Sequence, residues 1–360
     1  MTTSRGRPGR VLTVIGNRPQ FIKAAAVSGP LRAVADEVLV HTGQHYDDEL
    51  SQVFFDELEL PRPEHRLDLG GGSNTTQTAR MLAAIEPLLA AERPGIVLVY
   101  GDTNSTLAGA LAAAQAGLPV AHVEAGMRSY DRTMPEELNR VLTDHAGDLL
   151  LCSSEASAAT LRGERVAGQI EVVGDVMVDV AALLGPRAAA RTEVLDRFGV
   201  VAGDYVLATA HRAGNVDDPA RLGALAALLT GVPGPVVLPL HPRTAARLDD
   251  AGLTLDGVVT APPLGYLDFT ALLRNARAVL TDSGGVQKEA YLAGVPCVTL
   301  RESTEWTETV AAGWNVLVGL DAAAAAAALE RTPPGERPPL YGDGHAGTRV
   351  AAALARRMGV

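Results

Sequence analysis

Ile96-Val97-Leu98-Val99-Tyr100-Gly101-Asp102-Thr103-Asn104-Ser105-Thr106 opens the stretch that decides the fold, and Pro119-Val120-Ala121-His122-Val123-Glu124-Ala125-Gly126 repeats its pattern. The first segment is an unbroken apolar run ending in a small polar turn, and an alanine-rich helical run from Leu107 to Ala116 joins it to the second. An apolar run, a polar turn and a helix, repeated, is the βα unit of a parallel sheet. Asp102 and Glu124 then lie just past the carboxyl ends of two strands, where open α/β sheets bind ligands. Glu136 follows in Pro135-Glu136-Glu137-Leu138-Asn139-Arg140, on a loop leading into a helix. A lone acid in such a place is ordinarily a cap or half of a salt bridge. Three at one rim are costly unless a substrate or cations use them, which points to chemistry.

On the amino-terminal side, Val11 to Ile15 reads as the first strand and Gly16-Asn17-Arg18-Pro19-Gln20-Phe21-Ile22-Lys23 as the turn and helix start after it. Arg18 and Lys23 beside a helix N-terminus suit an anion, although an ordinary βα loop with solvated basic residues has the same composition. Val38 to His41 is the next strand, with Gln44 in the polar cluster at its end and a helix expected from about Asp48 to Glu57. Gly70-Gly71-Gly72-Ser73-Asn74-Thr75-Thr76 reads as a loop, with a helix from Thr78 to Ala91. Leu149 to Cys152 is a further strand, and the segment Ile170 to Val176 ends the first half.

The same alternation then restarts. Strands at Tyr205–Ala210, Val236–Leu240, Ala278–Thr281 and Val295–Leu300 run into His211-Arg212, His241-Pro242-Arg243, Asp282-Ser283-Gly284-Gly285 and Arg301-Glu302-Ser303. The expected fold class is α/β, with two doubly wound domains whose rims face each other across a cleft. Their expected limits are 1–170 and 171–345, with the last helix, within 346–360, packing back on the first domain.

Ser283-Gly284-Gly285 opening a helix is the clearest phosphate signal, because two glycines leave backbone N–H groups exposed at the positive end of the helix dipole. Glu289 lies one turn inside, about 6 Å along the axis from Gly285. An acid at that reach suits a ribose diol, so the pair describes a nucleoside diphosphate. His211 and His241 read either as core histidines or, beside Arg212 and Arg243, as anion contacts. There is no Walker-type loop and no Gly-x-Gly-x-x-Gly after the first strand, which weighs against an ATPase or a conventional dinucleotide enzyme.

At 360 residues the chain is long enough for about two domains. Hydrophobic residues make up 47% and charged residues 20%, so large cores can be buried. A net charge of −11 without a basic stripe argues against nucleic acid. Cys152 and Cys297 sit in apolar contexts without metal-ligand spacing, which suits buried reduced thiols. The apolar run after the basic first ten residues is only Val11 to Ile15, too short for a signal peptide or a membrane span. A soluble, cytoplasmic protein with no membrane partner is therefore expected.

Taken together, the motifs resemble the non-hydrolysing UDP-N-acetylglucosamine 2-epimerases, from Gly16 to the last helix. The most specific pieces are Gly101-Asp102-Thr103, His122-Val123-Glu124-Ala125-Gly126, Pro135-Glu136-Glu137-Leu138-Asn139-Arg140 and Thr281-Asp282-Ser283-Gly284-Gly285. The resemblance implies the two-domain, Rossmann-like glycosyltransferase-B fold, a UDP-amino sugar substrate, no cofactor or metal, and a homodimer. It implies Asp102, Glu124 and Glu136 as catalytic acids, with His211 as the active-site histidine. It also implies Arg18 and Lys23 as the basic pair of the first loop, Arg212 and His241 as substrate contacts, and Ser283, Gly284, Gly285 and Glu289 as the UDP site. Gln20-Phe21 and Glu305-Trp306 look closer to a subgroup acting on UDP-N-acetylglucosamine or on more heavily modified UDP-amino sugars.

Three positions depart from the pattern: Asn17 stands in place of Thr, Gly214 in place of an acid, and Ser303 in place of an acid. Gln44, Arg212 and His241 match the family's activator site, but the Arg expected near Asn74 is missing, so at most a weak response to activator is expected. The rival readings are a glycosyltransferase of the same fold, a hydrolysing epimerase releasing N-acetylmannosamine, and a non-catalytic UDP-sugar sensor. Three acids at the first rim favour the non-hydrolysing epimerase.

Overall fold

The computed structural model describes residues 7–44 and 55–360. The helix expected from about Asp48 lies mostly outside them. The chain divides into two compact units, one running to Leu183 and including Tyr341–Val360, the other comprising Leu184–Leu340.

The first unit is built in the order β1 (Arg7–Ile15), α1 (Arg18–Arg32), β2 (Asp36–His41), β3 (His65–Arg66), α2 (Asn74–Glu92), β4 (Pro94–Tyr100), α3 (Asn104–Gln115), β5 (Val120–Ala125), α4 (Pro135–Ala146), β6 (Leu149–Cys152), α5 (Glu155–Glu164), β7 (Gln169–Val172) and α6 (Val176–Ala189), whose residues from Leu184 on belong to the second unit. Its seven strands are parallel, in the order β3-β2-β1-β4-β5-β6-β7. The central strands are mostly apolar because both faces are covered by helices, with Thr13 and His122 as buried polar residues inside β1 and β5. Val97 and Val99 pack with Met81 and Ile85 of α2 and Ala108 and Ala112 of α3.

The expected boundary at 170 falls inside β7. That segment pairs with β6 from Leu149↔Gln169 to Cys152↔Val172, and so completes the first sheet. Helix α2 begins four residues earlier than expected. Ser73 Oγ accepts the Thr76 amide at 3.2 Å, so half of the expected glycine-rich loop is the first turn of a capped helix.

The second unit continues with α7 (Glu193–Phe198), β8 (Val206–Thr209), α8 (Ala213–Val216), α9 (Pro219–Thr230), β9 (Val236–Pro239), α10 (Pro242–Ala251), β10 (Val258–Ala261), α11 (Tyr266–Asn275), β11 (Ala278–Thr281), α12 (Gly284–Ala293), β12 (Cys297–Thr299), α13 (Thr307–Ala311), β13 (Asn315–Leu317) and α14 (Ala322–Leu329). Its strands are also parallel, in the order β10-β9-β8-β11-β12-β13. Both sheets therefore have a switch point, between β1 and β4 and between β8 and β11, where strand order reverses direction. Among the described residues, no helix is long and apolar enough to cross a membrane.

The last helix, α15 (Ala346–Met358), packs on α1 in the first unit. Asp179 of α6 caps it, accepting the Gly347 amide at 2.8 Å and the Ala346 amide at 3.1 Å. A Cβ at Gly347 would collide with the Ala26 carbonyl of α1. Gly347→Ala should therefore destabilise the first unit by about 1–3 kcal/mol, the cost of overpacking a close contact. Urea unfolding checks this, and an unchanged midpoint would show that the two helices can part without cost.

Candidate active site

Four strand ends of the first unit carry the polar residues singled out from the sequence. Gly101 turns the chain after β4 with φ 64°. Thr103 then caps α3 in a reciprocal box with Thr106. Asp102, between them, is held by the segment that begins α4. Arg140 Nε and Nη2 donate to Asp102 Oδ2 at 3.0 and 2.6 Å, while Asn139 Nδ2 donates to the Asp102 carbonyl at 2.9 Å.

Glu124 sits at the end of β5, where the register with β6 shifts between Val123 and Ala125. Its φ of 73° is left-handed, a backbone cost of roughly 1–3 kcal/mol for a residue with a Cβ that persists only where surroundings over-determine it. Its carboxylate pairs with Lys23 of α1, with both side chains nearly buried. The structure thus brings Lys23 to an acid of the rim. Arg18 is half-buried in the first turn of α1.

Pro135-Glu136-Glu137 contains two acids with opposite fates. Glu137 is buried and accepts the Ser129 amide at 2.8 Å, the Tyr130 amide at 2.9 Å and Arg140 Nη1 at 3.0 Å. Burial alone would raise its pKa, but the bonds from Ser129, Tyr130 and Arg140 outweigh that and hold it below its ordinary value. Glu136 is exposed, and among the described residues nothing holds its carboxylate.

Several organising residues were named in the sequence motifs without a role, or not at all. Gln20 is buried, accepts the Gly16 amide at 2.7 Å and donates to the Tyr100 carbonyl and Thr106 Oγ1, both at 2.9 Å. It ties the turn after β1 to the turn after β4. Asn17 caps α1 through its side chain, 3.3 Å from the Gln20 amide. Gln44 accepts the Ser105 amide at 3.1 Å and Ser105 Oγ at 2.7 Å, so it sits at the start of α3. His122 and Asp144 form a fully buried pair at 2.7 Å, and Arg128 bridges Asp144 and Glu164 at 2.7 Å each. A buried Gln or Asp on a helix looks like any polar residue in sequence, so only tertiary contact reveals these.

In the second unit, Asp282 ends β11 fully buried. It accepts the His211 amide at 3.1 Å, the Arg212 amide at 3.0 Å and Asn215 Nδ2 at 3.2 Å, so it folds the turn that presents His211 and Arg212. The His211 ring stacks on His241, with centroids 5.4 Å apart and planes at 27°. Ser283 precedes α12 without bonding its first turn through its side chain, which leaves the amides of that turn uncapped by it. Gly285 is exposed there, and Glu289 is half-buried one turn on. Gly284 has no room for a Cβ because the Glu305 carboxylate lies against it, and Trp306 Nε1 donates to its carbonyl at 2.8 Å. The Glu305-Trp306 pair thus forms the wall beside this helix start. Gln44 belongs to the first unit, and Arg212 and His241 to the second. Among the described residues, no group of three or more His, Cys, Asp or Glu side chains is placed to hold a metal ion.

Two parallel Rossmann-like sheets, one rimmed by carboxylates and one by a helix start suited to phosphate, define a nucleotide-sugar enzyme. The family model described as UDP-N-acetylglucosamine 2-epimerase matches residues 31–355. UDP-2,3-diacetamido-2,3-dideoxy-D-glucuronate 2-epimerase of Pseudomonas aeruginosa is 46% identical over 359 residues, covering 96% of this chain and 99% of the relative. A UDP-N-acetylglucosamine 2-epimerase homolog of Methanococcus maripaludis is 47% identical over 316 residues, covering 86% and 88%. The solved UDP-GlcNAc 2-epimerase of Methanocaldococcus jannaschii, in complex with UDP-GlcNAc and UDP, superposes with a TM-score of 0.90 at 38% identity, covering 96% of this chain and 99% of that one. The enzyme from Neisseria meningitidis bound to UDP-GlcNAc gives 0.87 at 28% identity, covering 96% and 100%. The chain belongs to the UDP-N-acetylglucosamine 2-epimerase family, isomerases of the glycosyltransferase-B fold that act on a nucleotide sugar.

The depressed carboxyl of Glu137 sets an acid limit on stability. A group held below its unfolded value, ordinarily about 4.3, stabilises the fold above that pH and loses its contribution as pH falls through the depressed value. Glu137→Gln should cost about 1–3 kcal/mol at pH 7, because Arg140 and the two amides lose a charged acceptor. The variant should then lose less further stability than the parent on acidification. Urea unfolding at pH 7 and below pH 4 checks this, and parallel losses in both proteins would remove Glu137 from the acid limb.

Proposed function

We propose that the protein is a non-hydrolysing epimerase that inverts C2 of a UDP-2-acetamido sugar, either UDP-N-acetylglucosamine or a 2,3-diacetamido uronate of the kind named for the Pseudomonas relative. The observation that carries this is the first rim, where Asp102 and Glu124 sit on adjacent strand ends, each gripped by a cation. A sugar-transferring enzyme or a sensor has no need of such a pair.

The C2 hydrogen is not next to a carbonyl, so direct deprotonation is too costly, and departure of UDP from C1 leads. In the second unit, His211, Arg212, His241 and the amides of Ser283, Gly284 and Gly285 stabilise charge on the leaving diphosphate. Glu289 accepts from the ribose hydroxyls. The C1–O bond breaks with its electron pair going to the diphosphate, and a carboxylate takes the C2 proton, leaving a glycal. UDP then adds back to C1 while a second acid delivers a proton to the opposite face of C2. Two faces need two groups, supplied from Asp102, Glu124 and Glu136. Exclusion of water keeps the glycal from being trapped.

Leu138 and Leu142, four residues apart on α4, are exposed apolar side chains, which favours a homodimer through that helix. A cytoplasmic location follows from a nucleotide-sugar substrate. Sedimentation at micromolar concentration checks the dimer.

Incubation with either UDP-sugar in D₂O should place deuterium at C2 of the epimerised product, read by proton NMR. Product that keeps protium at C2 would end the elimination reading. Asp102→Asn, Glu124→Gln and Glu136→Gln should each lower turnover by roughly 10²–10⁴-fold. UDP affinity by calorimetry should hardly change in them, whereas Glu289→Ala should weaken it by about 1–3 kcal/mol. Because the Arg expected near Asn74 is absent, turnover of the UDP-manno sugar should respond weakly or not at all to added UDP-gluco sugar. A strict requirement in reverse-reaction kinetics would show an activator site built from other residues.

A further inference from the structure

We propose that His122 is a positioning residue for this reaction: a buried imidazolium, held by Asp144, that fixes the Gly101 carbonyl and with it the two turns bearing Asp102 and Glu124. The inference rests on the reading above, in which those acids do the C2 chemistry.

His122 lies in the middle of β5, paired to Val99 of β4 and Leu150 of β6, and is fully buried. Its Nδ1 is 2.7 Å from Asp144 Oδ1, and its Nε2 is 2.7 Å from the Gly101 carbonyl. A peptide carbonyl can only accept, so Nε2 carries a proton. Asp144 Oδ2 already accepts the Gly126 amide at 3.1 Å and Arg128 Nη1 at 2.7 Å. The carboxylate is therefore ionised and also only accepts, so Nδ1 carries a proton as well.

The other titratable groups around the pair leave this balance in place. Cys152 on β6 is a thiol pushed up to about 12, mainly by burial. Arg128 is neutralised by Asp144 and Glu164, and His145 is exposed near Glu164.

The geometric consequence concerns the backbone. Gly101 donates its amide to the Val123 carbonyl at 3.0 Å and accepts His122 Nε2 at its own carbonyl, so both of its peptide groups are tied to β5. Asp102 follows directly. Glu124 lies between His122 and Gly126, both bonded to Asp144, and those two anchors bracket its left-handed backbone. One histidine–carboxylate pair thus sets the spacing of two acids on neighbouring strands, where a misplacement of about 1 Å costs on the order of 10²-fold in rate.

Two variants separate the bonds. Gln at this position can present an amide nitrogen near Nε2, and Asn one near Nδ1. His122→Gln keeps the bond to Gly101, and His122→Asn keeps the bond to Asp144. Turnover per folded molecule should fall roughly 10- to 100-fold in His122→Asn, with KM for the UDP-sugar within about threefold, and should recover most of the way in His122→Gln. Imidazole ¹⁵N NMR of the whole protein at pH 7.5, with the His122 signal assigned by its loss in the Gln variant, should show a proton on both ring nitrogens. A neutral ring at pH 7.5 would overturn the imidazolium. Parental turnover in His122→Asn, a loss confined to KM, or equal loss of turnover in both variants would overturn the positioning role. If the parent fails to exchange C2 hydrogen, the epimerase reading falls, while the NMR result still decides the state of His122.

Discussion

Parallel strands in one sheet can be joined only by crossovers, so every strand's carboxyl end emerges at the same rim. The polar residues at the rims of both sheets depend on that constraint. In the first unit the strand order reverses between β1 and β4, where the first turns of α1 hold Gln20 and Lys23 and the turn after β4 holds Asp102. Glu124 comes from β5, the next strand over. In the second unit the reversal lies between β8 and β11, and the turns after them hold His211, Arg212, Asp282 and Ser283. Helices diverge at such points, so the crevice is a product of topology, and side chains need only be placed at its lip.

Placing charged side chains at a lip beside a dry core has a cost, which sets the second level of organisation. Asp144 and Asp282 are fully buried, and each accepts bonds from backbone amides as well as side chains. Removing one partner of such a carboxylate leaves an uncompensated charge, worth about 3–5 kcal/mol, far more than a surface pair. These acids are consequently fastened in single conformations, and the turns they hold inherit that rigidity. Asp102 and Glu124 are fastened at one remove, through Arg140 and Lys23. Glu136 stands apart in being exposed at the start of α4, so its position is set by the helix alone.

One of the departures from the family pattern has a local explanation. Asn17 occupies a helix cap, and its side chain caps α1 as a Thr would. Gly214 is the second residue of α8, with open space where a Cβ would stand, and nothing in the structure requires a glycine there. Nothing in the structure explains Ser303, which is exposed.

The α/β class and the placing of Asp102 and Glu124 at strand ends were legible in the sequence, because a buried parallel strand is mostly apolar and the polar turn after it marks the rim. The motif Gly101-Asp102-Thr103 was legible for the same reason, as a short turn in which Gly101 takes a left-handed backbone, whereas the room that Gly284 leaves for Glu305 is a tertiary contact. The limits of the units were less so, since β7 is a short edge strand whose alternation is weak, and its membership depends on β6. The sequence also marked Glu136 and Glu137 only as neighbours. Burial of one and exposure of the other comes from the pitch of α4 and from the amides of Ser129 and Tyr130. Gln20, His122, Asp144 and Arg140 needed the tertiary structure most of all. Hydrogen bonds between residues 16 to 101 positions apart leave no local signature, since their energy exists only once the strands and helices that carry them are packed.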